Sequence, residues 1–298
     1  MTIEFNCPKC NAVIGFADQH AGKQAHCTAC EQKFIIPDKS FEKAKKVKPP
    51  EEESEPEPGF YRAVFIDNWK LFFRPQNVTG LVFVTAAVCF KFFTGHVDYS
   101  FTFGGFRAQG SVGLVITLAS WGCLLWFYME MICSTATDFE ELPDVDMGGL
   151  FGFIWNIVKS LFVFATVFTI VELPCIITVT ISGQENMLSN ILGYVGLFFF
   201  PIAILTVSIV GETTSLLRPD YIFKPVTKAF WPYLVTVGLF ALAAQLQLLM
   251  SGYNKIRGES SFNIALHLLA NLAVQALLII SMRTIGLFYR HYSCYFKW

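Results

Sequence analysis

Residues 151–181 read FGFIWNIVKSLFVFATVFTIVELPCIITVTI, and residues 187–210 read MLSNILGYVGLFFFPIAILTVSIV. Each run is longer than the roughly 20 residues that an α-helix needs to cross about 30 Å of hydrocarbon. Only the polar segment SGQEN separates the two runs, so they are predicted to form a tight helical hairpin. The chain is therefore predicted to be an integral membrane protein.

The composition of the whole chain supports a membrane location. Of its 298 residues, 54% are hydrophobic and only 15% are charged, and Phe alone accounts for 31. A soluble protein of this length would carry more charge. The net charge of −1 gives no electrostatic argument for binding nucleic acid, which is not an expected partner.

Apolar periodicity predicts an all-α polytopic bundle of six spans within residues 59–298. The six spans are residues 77–93, 112–133, 159–181, 187–210, 232–250 and 263–285. Two further segments, residues 60–74 and 219–231, mix aromatic and charged side chains and are predicted to lie as helices in the membrane interface. The lipid bilayer is thus an expected partner, and the sequence leaves the oligomeric state open.

The placement of Lys and Arg around the spans predicts the orientation. If both termini share one side, that side has ten of these residues and the other side has four. The ten are Arg62, Lys70, Arg74, Lys159, Arg218, Lys224, Lys228, Arg283, Arg290 and Lys297, and the four are Lys91, Arg107, Lys255 and Arg257. Because cytoplasmic loops carry the excess of positive charge, a multi-pass protein of the inner (cytoplasmic) membrane with both termini in the cytoplasm is expected.

Four cysteines near the N terminus form two Cys-x-x-Cys pairs, Cys7 with Cys10 and Cys27 with Cys30, separated by 16 residues. Two such pairs can supply the four thiolates of a closed tetrahedral zinc site. Short apolar stretches around them predict a small β zinc ribbon over residues 1–37, with one structural Zn²⁺ that stabilises a core too small to fold alone. The alternative, a redox-active Cys-x-x-Cys, lacks the βαβ pattern that normally surrounds it.

Two sets of residues resemble known families. The first is Phe5-x-Cys7-Pro8-x-Cys10 with Ala21-Gly22-Lys23, Cys27-x-x-Cys30 and Phe34-x-Ile36-Pro37, which resembles the zinc-ribbon module at the start of many bacterial membrane-associated proteins. The second is Glu141-Leu142-Pro143, Arg218-Pro219-Asp220 and Gly286-Leu287-Phe288-Tyr289-Arg290, which is similar to a bacterial and archaeal family of polytopic membrane proteins of unknown function. The first resemblance implies a structural zinc. The second implies a fold and no reaction, so it brings no catalytic residues with it.

Residues 38–58 join the two predicted domains. They contain a block of Lys, the pair Pro49-Pro50 and then a block of Glu. Such a composition cannot bury a core, so this segment is predicted to be a disordered, charged linker.

Polar side chains inside the predicted spans are the default functional candidates, because ionisable groups are costly in hydrocarbon. The candidates are Glu172, His267, Asn271, Gln275, Gln245 and Glu130. Glu172 lies in the middle of its span, and the positions 267, 271 and 275 recur every four residues, so they form one stripe that Gln245 could face. Such groups either line a polar path or fix the packing of helices through hydrogen bonds.

Three functions are compatible with these features. The first is a membrane anchor that presents the ribbon on a tether, in order to recruit or sense a cytoplasmic protein. The second is a transporter or channel for a small solute with the ribbon as regulator. The third is an enzyme of an unfamiliar kind, although the sequence contains no His-Glu-x-x-His, Gly-x-Ser-x-Gly or phosphate-binding glycine loop and so predicts no catalytic residues.

Overall fold

The computed structural model describes residues 2–10, 12–37, 45–46, 55–95, 99–103, 106–110, 112–139, 141–143, 149–184 and 186–296. The chain divides into two compact units, Met1–Ser54 and Glu55–Trp298, each with its own hydrophobic core. Most of the predicted linker, residues 38–44 and 47–54, lies outside the described residues.

Two small antiparallel sheets form the N-terminal unit. The first pairs β1 with β2, and the second has the order β3-β4-β5. The strands are β1 (Thr2–Asn6), β2 (Val13–Ala17), β3 (Gln24–His26), β4 (Lys33–Ile35) and β5 (Lys45–Lys46). This is the small β module that the sequence predicts, and β5 adds a two-residue strand from within the predicted linker.

Within its described residues, the second unit contains six helices that are long and apolar enough to cross a membrane, which confirms the predicted fold class. In chain order its helices are α1 (Phe60–Arg62), α2 (Asn68–Lys70), α3 (Val78–Thr94), α4 (Val112–Ala136), α5 (Gly149–Ser182), α6 (Met187–Val210), α7 (Pro219–Lys228), α8 (Phe230–Leu249) and α9 (Ser261–Tyr292). Two strands, β6 (Tyr99–Phe103) and β7 (Phe106–Gly110), form a hairpin between α3 and α4.

Helices α5 and α9 extend well beyond their predicted spans. Helix α5 begins at Gly149 rather than at residue 159, and α9 continues to Tyr292 rather than ending at residue 285. The predicted span 159–181 begins at Lys159, and the predicted span 263–285 ends two residues after Arg283. A charged side chain limits the apolar stretch but leaves the backbone hydrogen bonds of the helix intact, so the helix runs past it.

The segment predicted to lie in the interface near residues 60–74 is helical from Phe60 to Phe73, with a changing pitch. Helix α1 leads into a π-helical turn, Ala63–Asp67, and α2 into a 3₁₀ turn, Leu71–Phe73. The second such segment, residues 219–231, comprises α7 and the start of α8.

Helix α9 lies at the centre of the bundle and packs against α3, α4, α6 and α8. Every residue from 278 to 288 is buried, so this part of α9 has no face toward lipid. A helix that is covered on all sides must be surrounded by other helices. Helices α5 and α6 make their most extensive contact with each other, as the predicted hairpin, and α5 also packs on α4.

Glycines allow α4 to approach its neighbours closely. A Cβ atom added at Gly286 of α9 would lie 2.8 Å from the carbonyl oxygen of Ile132 on α4. A Cβ atom at Gly122 of α4 would lie 3.0 Å from the carbonyl oxygen of Ile157 on α5. Small residues at such contacts let helix backbones come together, which is the main source of packing energy inside a membrane.

Buried amides and main-chain hydrogen bonds attach the non-spanning parts to the bundle. Asn77 donates to the carbonyl of Leu71 at 2.8 Å and accepts the N–H of Leu142 at 2.9 Å. The N–H of Glu57 donates to the carbonyl of His291 at 2.9 Å. The membrane unit therefore begins before residue 58, the predicted end of the linker, because a main-chain contact of this kind leaves no signal in composition.

We expect Gly286→Ala to destabilise the membrane unit, because the backbone of Ile132 cannot move away without separating two helices. The cost should be about 1–3 kcal/mol, as for other overpacked sites. Gly238→Ala is the matched control, since no atom lies within 4 Å of a Cβ added there in the middle of α8. Thermal unfolding of both variants in detergent measures the difference, and equal unfolding temperatures would contradict the close approach.

Candidate metal centre and intramembrane groups

The two Cys-x-x-Cys pairs occupy equivalent turns. Cys7 follows β1 and Cys27 follows β3, and each is the first residue of a tight turn. The N–H of Cys7 donates to the carbonyl of Ala12 at 2.8 Å, and the N–H of Cys27 donates to that of Gln32 at 2.9 Å. The same five-residue loop therefore closes beneath each pair and directs its sulfur atoms toward one point.

The four sulfur atoms are close enough to share one ion. All lie within 4.8 Å of one another, with Cys7 Sγ 3.6 Å from Cys30 Sγ and Cys10 Sγ 3.7 Å from Cys27 Sγ. Tetrahedral coordination with metal–sulfur bonds of about 2.3 Å places the sulfurs about 3.8 Å apart. The spacing thus fits a tetrahedral metal ion and is too long for a disulfide, whose S–S bond is about 2.05 Å.

The core beside this site is very small. Its buried members are Ile3, Phe5, Cys7, Cys27, Phe34 and Ile36. Phe5 meets Phe34 edge-on with ring centroids 5.3 Å apart, and two of the six buried side chains are themselves candidate ligands. A module with so little apolar burial needs another source of stability, and metal binding supplies it directly as folding free energy.

The surroundings favour the thiolate of Cys7 and disfavour that of Cys30. The N–H groups of Cys10 and Lys9 lower the pKa of Cys7 to about 6. At Cys30 the N–H of Gln32 acts in the same direction, but burial and the neighbouring thiols outweigh it and raise the pKa to about 12. Gathering four negative charges within 4.8 Å therefore requires a compensating cation.

Glu172 faces a cavity inside the helix bundle. The cavity has a volume of about 300 Å³ and lies between α4, α5, α6, α8 and α9. Its walls are mostly aromatic and aliphatic, and its polar members are Tyr128, Gln245, Gln247 and Glu172. Among the described residues, none donates a hydrogen bond to Glu172 or pairs with its charge.

Gly196 on α6 makes room for the Glu172 side chain, and Gly193 lies at ordinary contact distance from it. A Cβ atom added at Gly196 would lie 2.4 Å from Glu172 Oε1, and one at Gly193 would lie 3.7 Å from Oε2. The carboxyl group therefore rests against a backbone surface that only glycine can provide. The spacing of glycines at i and i+3 in a predicted span is a signal that sequence reasoning missed.

The polar stripe on α9 joins helices and does not line the cavity. Gln275 accepts a hydrogen bond from the hydroxyl of Tyr128 on α4 and donates to Gln247 Oε1 on α8 at 2.6 Å. Asn271 Nδ2 donates to the carbonyl of Ser251 at 3.2 Å and to that of His267 at 2.9 Å. Gln275 and Asn271 thus connect α9 to its neighbours, as the packing alternative predicts.

The remaining candidates are separate from this network. Gln245, expected to face the stripe, lines the cavity with Glu172 instead, and Gln247 takes its place. Gln245 and Gln247 are two positions apart on α8, and residues at that spacing lie on different faces of a helix. Glu130 is exposed near the end of α4, and His267 is only partly buried. The structure therefore does not bring His267 and Glu172 together in the cavity.

No known family matches this chain in a comparison with family models, and no match is found among curated proteins or solved structures. The assignment of function consequently rests on the residues of this chain. The four thiols are the first candidate site, because they could coordinate a metal ion. The cavity beside Glu172 is the second.

We predict that the purified full-length protein binds one metal ion per chain through four thiolates. Cys10→Ser should abolish stoichiometric binding, because a neutral hydroxyl cannot replace a thiolate ligand. Cys89→Ser is the control, since Cys89 lies in α3 outside the cluster. Elemental analysis after gel filtration measures the stoichiometry.

Acidification provides a second measurement on the same protein. Protons compete with the metal for the thiolates, so the ion should be retained at pH 7.5 and released on acidification. Retention in Cys10→Ser, or loss in Cys89→Ser, would contradict the assignment.

We predict that Glu172 and Gly196 are energetically coupled. Gly196→Ala should destabilise the protein by about 1 kcal/mol because the new methyl group displaces the carboxyl group. In a Glu172→Ala background the same substitution should cost at least about 0.5 kcal/mol less. Gly193→Ala is the control, because its Cβ atom would make only ordinary contacts. Thermal unfolding in detergent measures the effect of each substitution. If the effects of Gly196→Ala and Glu172→Ala simply add, the carboxyl group of Glu172 does not contact residue 196.

Proposed function

We propose that this protein is a multi-pass protein of the cytoplasmic membrane that presents a zinc-bound ribbon to a cytoplasmic protein, which it recruits or senses. The observation that carries the proposal is the closed group of four thiols in a unit with its own core. The six apolar helices of the other unit supply the anchor.

Zinc is the metal that this site suits best. Four thiolates in a tetrahedral arrangement favour zinc or an iron–sulfur cluster, and a pair of Cys-x-x-Cys turns that converge on one point suits a single ion. Four protein ligands leave no open coordination position, so the ion has a structural role rather than a catalytic one. A reducing cytoplasm keeps the thiols available for the metal.

The surface of the N-terminal unit and the composition of residues 38–58 support recruitment. Val13 on β2 is 73% exposed, which leaves a large apolar side chain available to a partner. The Lys, Pro and Glu blocks of residues 38–58 suit a tether, because such sequences do not form a core of their own. A metal-stabilised module on a tether can bind a partner without disturbing the bundle.

Site-specific photo-crosslinking in cells tests the proposal. A photoreactive amino acid at Val13 should give a discrete crosslinked product with a cytoplasmic protein. The product should be lost in a Cys10→Ser background, because the module needs its metal to fold. A matched probe at Phe162, which is exposed on α5, reports contacts of the membrane unit and should be unaffected by Cys10→Ser. Crosslinking at Val13 that persists without the metal site would contradict recruitment by the folded module.

A labelling control establishes the side of the membrane. In a chain that keeps only the four N-terminal cysteines, Asn254→Cys should react with a membrane-impermeant thiol reagent in intact cells. Thr227→Cys should react only after permeabilisation, since the excess of Lys and Arg places α7 in the cytoplasm. Both residues are exposed, so access to the reagent depends on the membrane alone. The reverse pattern would place the N-terminal unit outside the cytoplasm.

Transport of a small solute is the second candidate function, and the cavity beside Glu172 is the observation that favours it. Two features weigh against it. The walls of the cavity are mainly apolar, and the buried amides of Gln275 and Asn271 are engaged in hydrogen bonds between helices. Anchoring of the metal module is therefore the function that the described residues support best.

A further inference from the structure

A second cavity lies between the helical segment of residues 60–74 and the C-terminal part of α9. Its volume is about 460 Å³. Its charged lining residues are Arg62, Asp67, Lys70, Arg74, Arg283 and Arg290. We call it the basic cavity, because five of these six side chains are cationic and one is acidic.

The single acid of the basic cavity is shared between cations. Asp67 Oδ1 accepts a hydrogen bond from Lys70 Nζ at 2.5 Å, and Asp67 Oδ2 lies 3.9 Å from Arg62 Nε. The hydrogen bond from Lys70 and the positive charges of Lys70, Arg62 and Arg283 lower the pKa of Asp67. Asp67 thus serves both Arg62 and Lys70, and these three exposed side chains together keep a net positive charge. Arg290 pairs with Asp138, and Arg74 and Arg283 also have interactions of their own.

Residues 60–74 have three distinct faces. Phe60, Val64, Asn68 and Leu71 are buried against the bundle. A second face carries the exposed apolar side chains Tyr61, Phe65, Ile66, Trp69 and Phe73. The cationic residues and Asp67 occupy the third face, and it is this face that lines the basic cavity.

The exposed apolar face fixes the depth of the basic cavity in a membrane. Trp and Tyr side chains prefer the boundary between headgroups and hydrocarbon, and an amphipathic helix lies in that plane with its apolar face buried. Trp69 and Tyr61 therefore place the segment at the level of the headgroups. The charged face beside them meets the layer in which lipid phosphates are found.

We propose that the basic cavity binds the phosphate of an anionic phospholipid headgroup. Arg guanidinium groups bind phosphate oxygens through paired, charge-assisted hydrogen bonds, and Lys adds a further positive charge. The neighbouring apolar face, with Phe65 and Phe73 exposed, offers a surface for the acyl chains of the same lipid. A free phosphate ion would use the same cations but gain nothing from the apolar face.

Thermal unfolding of the full-length protein in a non-ionic detergent tests this proposal. Titration with dioctanoyl phosphatidylglycerol should raise the unfolding temperature to a plateau. The half-saturating concentration should increase about tenfold or more in Arg62→Gln/Lys70→Gln, because two charges beside the phosphate are removed. Both side chains are exposed, so the double variant should fold.

Lys159→Gln/Lys224→Gln is the matched control. It removes the same charge from the same end of the bundle, yet neither residue lines the basic cavity. Its half-saturating concentration should equal that of the unmodified protein. An equal increase in both double variants would overturn the proposal, because binding would then reflect net charge alone.

Two other probes identify the source of the phosphate. Dioctanoyl phosphatidylcholine, which is zwitterionic, should stabilise the protein more weakly than phosphatidylglycerol. Inorganic phosphate at the same concentrations should have little effect, and stabilisation by it equal to that by the lipid would overturn the assignment to a lipid. If the double variant fails to fold, Lys70→Gln alone should still raise the half-saturating concentration severalfold, and an unchanged value would overturn the proposal.

Discussion

The membrane unit is governed by one constraint: a backbone group in hydrocarbon must find its hydrogen-bond partner within the protein. Water is absent there, so helices that satisfy their own N–H and C=O groups are the available solution for spans of this length. Once the backbone is satisfied, burial of apolar surface no longer drives the helices together, because lipid is equally apolar. Helix association must therefore come from close backbone contacts and from hydrogen bonds between buried amides. The glycines at 122 and 286 and the hydrogen bonds of Gln275 are the residues through which α4, α5, α8 and α9 meet that requirement.

The stability of the N-terminal unit is limited in a different way, by the size of its apolar core. It is surrounded by water, so burial of apolar side chains is favourable, but its six-residue core is too small for that term to suffice. Four thiols arranged at the spacing of a tetrahedral ion could bind a metal, whose bonds to the thiolates would replace the missing burial. The first unit would therefore be stabilised by metal–thiolate bonds, and the second by close packing and hydrogen bonds between helices. Loss of metal should affect the first and leave the packing of the second unchanged.

Features that depend on short-range sequence rules are predictable here, and features that depend on contacts between helices are not. Run length and hydropathy identify the six helices, and the spacing of Cys7, Cys10, Cys27 and Cys30 identifies the metal ligands, because both are local properties of the chain. The partner of Gln275 is different. Gln245 and Gln247 lie two residues apart on one helix, and only the rotation of α8 against α9 decides which of them reaches the stripe. The cavity beside Glu172 and the basic cavity arise in the same way, from surfaces that separate helices contribute.

The basic cavity depends both on a local sequence pattern and on contacts between distant parts of the chain. The sequence contains Arg62, Lys70 and Arg74 in a segment that is recognisably amphipathic, and composition alone would assign these residues to solvent. The fold instead places them opposite Arg283 and Arg290, which belong to the far end of the chain. The buried amide of Asn68 donates to Thr284 at 3.3 Å and so holds the segment against α9, and Asp138, just after α4, forms an ion pair with Arg290 at 2.6 Å. Five cations that are dispersed over more than two hundred residues of sequence thus become one site. Like charges repel, so carboxylates such as Asp67 and Asp138 favour this arrangement, and the membrane surface offers phosphate at the same depth.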